Sequence, residues 1–512
     1  MRHAIVVLWL LMSSSVIQAQ PYTYDLPIKE HVFENGLRLL VLEQSGSHRV
    51  SCKIFFDMGA LNEIPGELGS AHFLEHLMFK GTHTLGTTDW KAEQPLIESL
   101  FSTEAALIQE LNSARNDLRE RGVFEDYRHK TSNPKIDSLN QKIASIDQEI
   151  SSYRDRGAMM RWYQSFGGTR LTASTEQEYM KFDINLPANR VELFLRIEAD
   201  RMKNSVFREF DQERMILVEQ RYGDLRRGTT AYFEALNGVV SDIHPVYWPE
   251  GFLSDFNVYT RHYERALYEE YFVVNNATLI FIGGVNLESM IPKVEKYFGW
   301  MAPAPEPTRV KAIEPPPQAE RRMIWRSTTI APRVDIRYKI PGIGHPDRPV
   351  FDVLTEVASS QLRKALQSAD IEGRGSVNTR VVHTSRFGVP SSLNFEVVLS
   401  REEDLAAAEQ TIYRVLDALE ENPVPDDQLE TAGKLLRAGW FRTLSNPDRL
   451  AFEIGHFQVM DRWQTLREHL RARDMTTGID VQRVARRYFI PENRTVGLVR
   501  SPEKGGKKRE AP

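Results

Sequence analysis

The chain has 512 residues, of which 41% are hydrophobic and 26% charged, so its composition is that of a globular protein too long for one ordinary core. A domain length of about 150 residues predicts two to four domains. The net charge of −5 gives no electrostatic case for nucleic acid as a partner. Cys52 is the only cysteine, which excludes an intramolecular disulfide.

The N-terminus has the pattern of a secretion signal. Arg2 precedes an apolar run over residues 4–12, and Ala19 stands where a cleavage point is expected. The apolar run is too short to span a membrane. We expect residues 1–19 to be a signal peptide of a secreted, periplasmic protein, with an uncleaved anchor as the alternative. No integral membrane span is expected after cleavage, because no other stretch approaches about 20 apolar residues.

Residues 69–82 carry the strongest chemical signal. On a helix, residues three and four apart share a face, so His72, Glu75 and His76 would point together. Neutral imidazole is a good zinc ligand, and zinc with an open position lowers the pKa of its water to about 7, which lets a nearby carboxylate take the proton. The order is the reverse of the better-known His-Glu-x-x-His arrangement. The pattern predicts a hydrolytic zinc site, although it also fits an amphipathic helix with two surface histidines.

Strands are predicted on both sides of an Asn35-Gly36 turn, over residues 31–34 and 37–42, and again over residues 50–56 before the motif helix. Leucine and isoleucine then recur at helical spacing from 90 to 153, which predicts a helical hairpin inserted at about 92–156. The hairpin could be a structural spacer or a partner-docking arm. Further predicted elements are helical structure over 186–222, a helix over 263–271, a strand over 278–282 and a helix over 287–298.

The second half of the chain repeats the first. Six prolines between residues 302 and 320 predict an interdomain linker over 301–320. Residues 333–340 then echo 49–56, and 493–499 echo 276–282, but residues 350–360, which match the motif, hold no ligand cluster.

The predicted fold class is therefore α+β, with two homologous α/β-sandwich domains, each a mixed, mostly antiparallel sheet with helices. The predicted division is a zinc-bearing N-terminal domain over 28–300, the linker, a homologous C-terminal domain without metal over 321–501, and a basic tail over 502–512.

The chain resembles the insulinase/pitrilysin family of inverted-motif zinc peptidases, which includes the mitochondrial processing peptidases. The resemblance covers nearly all of the mature chain and is interrupted by the helical hairpin. The matching segments are Asn35-Gly36, residues 69–82, Gly167-Gly168, Leu186-Pro187-Ala188-Asn189, Phe207-Arg208-Glu209-Phe210, Glu213-Arg214 and residues 275–283.

This resemblance implies one Zn²⁺ per chain, with His72 and His76 as ligands and Glu75 as the general base. It also implies a third, acidic ligand on a later helix, seven residues after the glutamate of a Glu-Arg pair. That count from Glu213 ends on Gln220, whereas the nearest carboxylate is Glu219. We expect Glu219 to be the ligand after a small shift of the helix, with Gln220 as its rival.

Glu213 is then expected to contact the metal ligands rather than the metal itself. Thr172 and Ala173 stand where the family has an Asn-Ala pair that binds the backbone of the substrate. Thr172 could still offer a hydroxyl, with a shorter reach.

A further departure lies in the second half. Active single-chain relatives have an arginine and a tyrosine there that polarise the scissile carbonyl, but residues 366–376 have neither at the expected places, and Arg374 is read as a loop cation. Such a clamp contributes several kcal/mol to lowering the barrier. We therefore expect a zinc endopeptidase for extended peptides that needs a homologous partner subunit to supply the arginine and tyrosine. The alternatives are a non-catalytic subunit for assembly or peptide capture, and a scaffold without zinc.

Overall fold

The computed structural model describes residues 24–123, 131–242, 249–257, 259–309, 314–371, 378–382 and 391–502. The predicted signal peptide, 1–19, and the basic tail beyond residue 502 lie outside the described residues. Within the described ranges, no helix combines the length and the apolar character needed to cross a bilayer.

The described part of the first half forms a six-stranded sheet with the order β1-β2-β6-β3-β5-β4. Strand β2 pairs with β6 in parallel, and the other neighbours are antiparallel. The strands are β1 Lys29–Val32, β2 Arg38–Glu43, β3 Arg49–Phe56, β4 Thr169–Thr175, β5 Met180–Pro187 and β6 Ala277–Gly283. The helices are α1 Ser70–Leu77, α2 Trp90–Glu120, α3 Pro134–Ser151, α4 Ala158–Ser165, α5 Val191–Asn204, α6 Phe210–Arg226, α7 Thr229–Val240, α8 Arg261–Tyr271 and α9 Leu287–Phe298.

The described part of the second half forms a five-stranded sheet with the order β7-β11-β8-β10-β9. Again one pair, β7 with β11, is parallel and the others are antiparallel. The strands are β7 Arg321–Arg326, β8 Arg333–Ile340, β9 Asn378–Val382, β10 Ser391–Val398 and β11 Arg494–Arg500. The helices are α10 Arg348–Ser368, α11 Leu405–Glu421, α12 Asp426–Leu444, α13 Pro447–Met460, α14 Trp463–Asp474 and α15 Gly478–Tyr488.

The two sheets have the same topology once β1 is set aside. Strands β2, β6, β3, β5 and β4 correspond in order and direction to β7, β11, β8, β10 and β9. The predicted α+β class, with mixed, mostly antiparallel sheets, is therefore confirmed. The helix that corresponds in position to α1 is α10, which lies over the predicted segment 350–360.

Each half contributes helices to the sheet of the other half. On one face of the first sheet, Phe55 of β3 and Ile280 of β6 cluster with Ile454 of α13. On the second sheet, Tyr232 of α7 clusters with Val499 of β11, and its hydroxyl donates a hydrogen bond of 2.5 Å to the Asp335 carboxylate. Helix α13 of the second half, on the first sheet, and helix α7 of the first half, on the second sheet, therefore hold the two halves together.

The helical hairpin predicted between residues 90 and 153 is present as α2 and α3. Asn133 caps α3 by accepting a hydrogen bond of 2.8 Å from the backbone N–H of Ile136, and Pro134 occupies the first helical position. A buried ion pair, Arg208 Nε to Glu93 Oε1 at 2.6 Å, joins the start of α2 to the segment before α6. The base of the hairpin is therefore fixed against the body of the first half.

One sequence expectation is wrong in detail. Residues 186–222 were expected to be helical, but residues 186–187 end strand β5 and the rest contains two helices, α5 and α6, separated by residues 205–209. The break contains Glu209, whose φ of 56° lies in the left-handed region. Strands β4 and β5 have no counterpart among the predicted strands. The segment 301–309 and residues 314–320 contain no helix or strand, and residues 310–313 lie outside the described part.

Candidate metal centre

Helix α1 begins at a buried carboxylate. The two oxygens of Glu63 accept hydrogen bonds of 2.7 Å from the backbone N–H groups of Gly69 and Ala71, which satisfies two free donors at the helix N-terminus. Gly69 has a φ of 95°, and a Cβ there would lie 2.7 Å from the Cα of Gly251. Only glycine fits this close approach, so the start of α1 is fixed in position.

The apolar face of α1 sets the direction of its polar face. Phe73, Leu74 and Leu77 belong to the core of the first half, and the ring of Phe73 stacks on Tyr259 with centroids 5.3 Å apart. Burial of this face rotates His72 and His76 to the opposite side, where both are partly exposed.

The two imidazoles lie one helical turn apart, with ring centroids 4.9 Å from each other and planes at 83°. Burial, together with the neighbouring His76, lowers the pKa of His72 to about 4, so His72 is neutral at pH 7. A neutral imidazole has a free lone pair, which is the form that binds a metal.

The Glu75 carboxylate lies beside this pair. The hydroxyl of Thr175, at the end of β4, donates a hydrogen bond of 2.6 Å to Glu75 Oε2. Burial raises the pKa of Glu75, while the bond from Thr175 opposes that rise. A carboxylate whose pKa is raised towards the working pH is better suited to take up a proton.

Glu213 of α6 contacts the Nδ1 atom of His76. Its Oε2 lies 3.1 Å from Nδ1 of His76, and its Oε1 lies 2.5 Å from Nζ of Lys80. Burial would raise the pKa of Glu213, but the bonds from His76 and Lys80 outweigh it and lower the pKa. An ionised carboxylate only accepts, so Nδ1 of His76 carries the proton and Nε2 is left for a metal.

The structure does not bring a third carboxylate ligand to the two histidines. Glu219 and Gln220 are both exposed on α6. Because a helix turns by about 100° per residue, Gln220 returns to the face of Glu213, whereas Glu219 points about 120° away. Across the described residues, no group of three or more His, Cys, Asp or Glu side chains is placed to hold a metal ion.

Two imidazoles, one of them oriented by a carboxylate, are ligands of the type that zinc prefers, and Gln220 offers an amide on the α6 face that carries Glu213. Glu213 faces Nδ1 of His76 and Nζ of Lys80, so in this arrangement it supports a histidine from the side away from Nε2. The third ligand, Glu219 or Gln220, stays a prediction.

The expected peptide-binding residues lie on the edge strand β4. Thr172 and Ala173 pair with Asp183 and Phe182 of β5, and in the described part of the chain the other edge of β4 has no strand beside it. Thr172 is exposed, and its hydroxyl donates to the carbonyl of Ala173 at 3.3 Å. Arg374 and residues 372–376 of the second half lie outside the described residues.

Three residues of the site have no role in the sequence analysis. Thr175 contacts the motif only through the tertiary fold, and Glu63 reaches it across a short loop six residues before Gly69, where no helical spacing applies. Lys80 stands within the motif stretch, four residues after His76, and this spacing is the one signal that points to it.

Comparisons with known proteins agree with this fold. A family model described as insulinase (peptidase family M16) matches residues 39–94, and one described as peptidase M16 inactive domain matches residues 263–436. The zinc protease PqqE of Helicobacter pylori is 21% identical over 485 residues, which cover 92% of this chain and 92% of PqqE.

Two solved structures are similar over most of the chain. A protease from Helicobacter pylori matches with a TM-score of 0.72 and 17% identity, covering 93% of this chain and 99% of its own. The periplasmic protease PqqL from Escherichia coli matches with a TM-score of 0.69 and 13% identity, covering 93% of this chain but 48% of PqqL. At these identities the likeness shows the fold.

Proposed function

The chain belongs to the insulinase family of peptidases, and we propose that it is a zinc-dependent metalloendopeptidase that hydrolyses extended peptides together with a homologous partner subunit. The observation that carries this proposal is the placement of His72, Glu75 and His76 on helix α1, with Glu75 and His76 each held by a residue from another element. A surface histidine or glutamate that only faces water needs no hydrogen-bond partner from another element, so the bonds from Thr175 and to Glu213 favour a functional site.

Each residue has a separate task. His72 and His76 would hold the metal, and the Glu213 bond keeps the His76 ring in one orientation. Bound zinc would supply Lewis-acid activation of a water and of the peptide carbonyl. Glu75 accepts the proton of the attacking water, and Thr175 keeps its carboxylate aimed at that point.

An extended peptide is the substrate class that suits the edge of the first sheet. Strand β4 ends at Thr175, next to Glu75, and its outer edge can pair with an added strand. Backbone pairing of this kind tolerates many sequences. Thr172 and Ala173 would bind the backbone of the peptide.

A partner subunit of the same fold is supported by the length of a relative. This chain spans about half of PqqL from Escherichia coli, which is a periplasmic protease. Two chains of the present length would therefore provide the equivalent of one such molecule, and the second could supply the arginine and tyrosine. We place the protein in the periplasm, because PqqL is periplasmic and residues 1–19 have the pattern of a signal peptide.

The test measures zinc content and hydrolysis of an unstructured fluorogenic peptide by the complex purified from its native source. The Glu75→Gln variant should keep its zinc and lose at least about 10²-fold in hydrolysis rate, since it lacks the proton acceptor. An equal rate for Glu75→Gln and wild type would refute the proposed role of Glu75.

A second pair of variants identifies the third ligand. Gln220→Glu should bind zinc more tightly than wild type if residue 220 faces the metal, because it adds a charged ligand. Glu219→Gln should then leave the affinity unchanged. The opposite result, weaker binding by Glu219→Gln and no gain from Gln220→Glu, would assign the ligand to Glu219.

A non-catalytic subunit is the second candidate function. It is favoured by Gln220, which places an amide on the helix face that carries Glu213, and by the lack of a third carboxylate near the histidines among the described residues. This candidate predicts bound zinc without peptide turnover, even with the partner present. A scaffold without metal predicts no stoichiometric zinc.

A further inference from the structure

Lys80 lies between two carboxylates at the back of the metal centre. Its Nζ is 2.5 Å from Oε1 of Glu213 and 3.3 Å from Oε2 of Glu209. The side chains are mostly buried, with 21% of Lys80, 6% of Glu213 and 13% of Glu209 exposed. One ammonium group is therefore shared by two carboxylates in a place where water can do little to screen their charges.

The same contacts connect the metal centre to the base of the helical hairpin. Glu209 also forms an ion pair with Arg156, which follows α3 and whose Nε lies 2.7 Å from Oε1. A row of alternating charges thus runs from Arg156 through Glu209 and Lys80 to Glu213, which contacts His76.

The Glu213 carboxylate has two oxygens and two partners, so its rotation is fixed only while both bonds exist. If the ammonium of Lys80 were removed, Oε1 would lose its partner, and Glu213 and Glu209 would be left as neighbouring like charges. The bond to Nδ1 of His76 would then compete with repulsion and with rotation of the carboxylate.

We propose that Lys80 is a positioning residue for metal binding: it fixes the Glu213 carboxylate so that His76 keeps its proton on Nδ1 and presents Nε2 to the metal. This inference rests on the proposed zinc site and extends it to a residue that contacts neither metal nor substrate.

The backbone of Lys80 is held independently of its side chain. Its N–H donates to the carbonyl of Leu77 at 3.0 Å, and its carbonyl accepts from Arg208 at 3.3 Å. Substitution of the side chain should therefore leave the loop after α1 in place, so that an effect on zinc binding can be separated from unfolding.

Two effects of Lys80 on zinc binding have opposite signs. As a nearby positive charge it repels a metal cation, so its removal would tighten binding if only charge mattered. As a positioning residue it orients a ligand, and loss of such a partner typically weakens metal affinity by about 10–100-fold. The direction of the change therefore distinguishes the two roles.

The experiment measures zinc affinity by chelator competition on the full chain freed of metal. Lys80→Met should weaken zinc binding about tenfold, and Lys80→Arg, which can still donate to Glu213 and Glu209, should restore most of it. Lys339→Met is the matched control, because Lys339 Nζ lies 2.8 Å from Oε1 of Glu314 in a buried pair of the second half. It should lower the melting temperature without changing zinc affinity.

The outcomes separate the two levels of inference. Stoichiometric zinc in wild type with unchanged or tighter binding by Lys80→Met overturns the role of Lys80 and leaves the proposed function standing. Wild-type protein without zinc affinity overturns the zinc site, and the role of Lys80 with it. Equal weakening by Lys80→Met and Lys339→Met would show a general loss of stability and also overturn the inference.

Discussion

The buried pair between Arg208 and Glu93 gives the sharpest prediction for stability. The guanidinium binds the carboxylate through two bonds, Nε to Oε1 at 2.6 Å and Nη2 to Oε2 at 2.8 Å, and Glu93 is 0% exposed. Arg208 also donates to the carbonyl of Thr82 at 3.0 Å. It therefore joins the hairpin, the loop after α1 and the start of α6.

Arg208→Met leaves the Glu93 charge buried without a partner. Breaking a buried pair from one side costs about 3–5 kcal/mol, which for a unit of this size lowers the melting temperature by about 6–20 °C. Because the loss comes mainly from the unpaired charge, the double variant Arg208→Met/Glu93→Met should recover most of it.

The assay is scanning calorimetry of the purified chain, in which the transition that contains the first half is followed in the two single variants and the double variant. Arg214→Met is the matched control on α6, because Arg214 pairs with Asp211 at 2.7 Å with side chains 29% and 57% exposed. It should change stability by less than about 1 kcal/mol. A small effect of Arg208→Met, or a double variant no more stable than the single one, would refute the reasoning.

Two further predictions concern the contact between the halves. A Cβ at Gly455 of α13 would lie 2.2 Å from the ring of Phe55, so Gly455→Ala should lower the free energy of unfolding by about 1–3 kcal/mol. The control is Gly439→Ala on α12, where no atom lies nearer than 3.7 Å to the added Cβ, and it should raise that free energy by up to about 1 kcal/mol. Urea unfolding measures both variants. Burial lowers the pKa of His456 to about 4, below its ordinary value of 6.5, so the unfolded chain binds the extra proton and stability falls as pH drops from about 6.5 to 4. His456→Phe should remove the contribution of His456 to this loss of stability, which is of the order of 3 kcal/mol. Identical profiles of melting temperature against pH for the variant and wild type would contradict this prediction.

The regular elements that the sequence predicts well have local signals at both ends. The helix predicted over 287–298 matches α9, whose Asn286 cap accepts from the N–H of Ser289 at 2.9 Å. The strand predicted over 333–340 matches β8, where hydrophobic and charged residues alternate. In both cases the information lies within about ten residues of chain.

The missed elements depend on contacts between distant residues. Strand β5 is buried although it contains Lys181 and Asp183, because these two pair at 2.5 Å and Lys53 of β3 pairs with Asp183 at 3.1 Å. In the sequence alone, two charges in five residues argue against a buried strand. The break before α6 was missed because glutamate seldom adopts the left-handed conformation of Glu209.

The candidate site divides in the same way. Helical spacing alone predicts that His72, Glu75 and His76 share a face, and the structure places all three on α1 with the centroids of the two imidazole rings 4.9 Å apart. Their partners, Thr175, Glu213 and Lys80, come from other elements or from beyond the end of the helix, and only the fold places them. The role of Glu213 beside the ligands came from the family resemblance rather than from its spacing.

The choice between the two candidate functions depends on one face of α6. Glu213 is directed at Nδ1 of His76 and at Lys80, so the structure assigns it to supporting His76 rather than to the place of a charged third ligand. Two turns later the same face offers Gln220, a neutral donor that binds zinc more weakly than a carboxylate. If Gln220 is the ligand, weak affinity makes the orientation of His76 more important, because fewer bonds remain to hold the metal. The zinc affinity of Gln220→Glu should then depend less on Lys80 than that of wild type, and an equal dependence in both backgrounds would show that the two residues act independently.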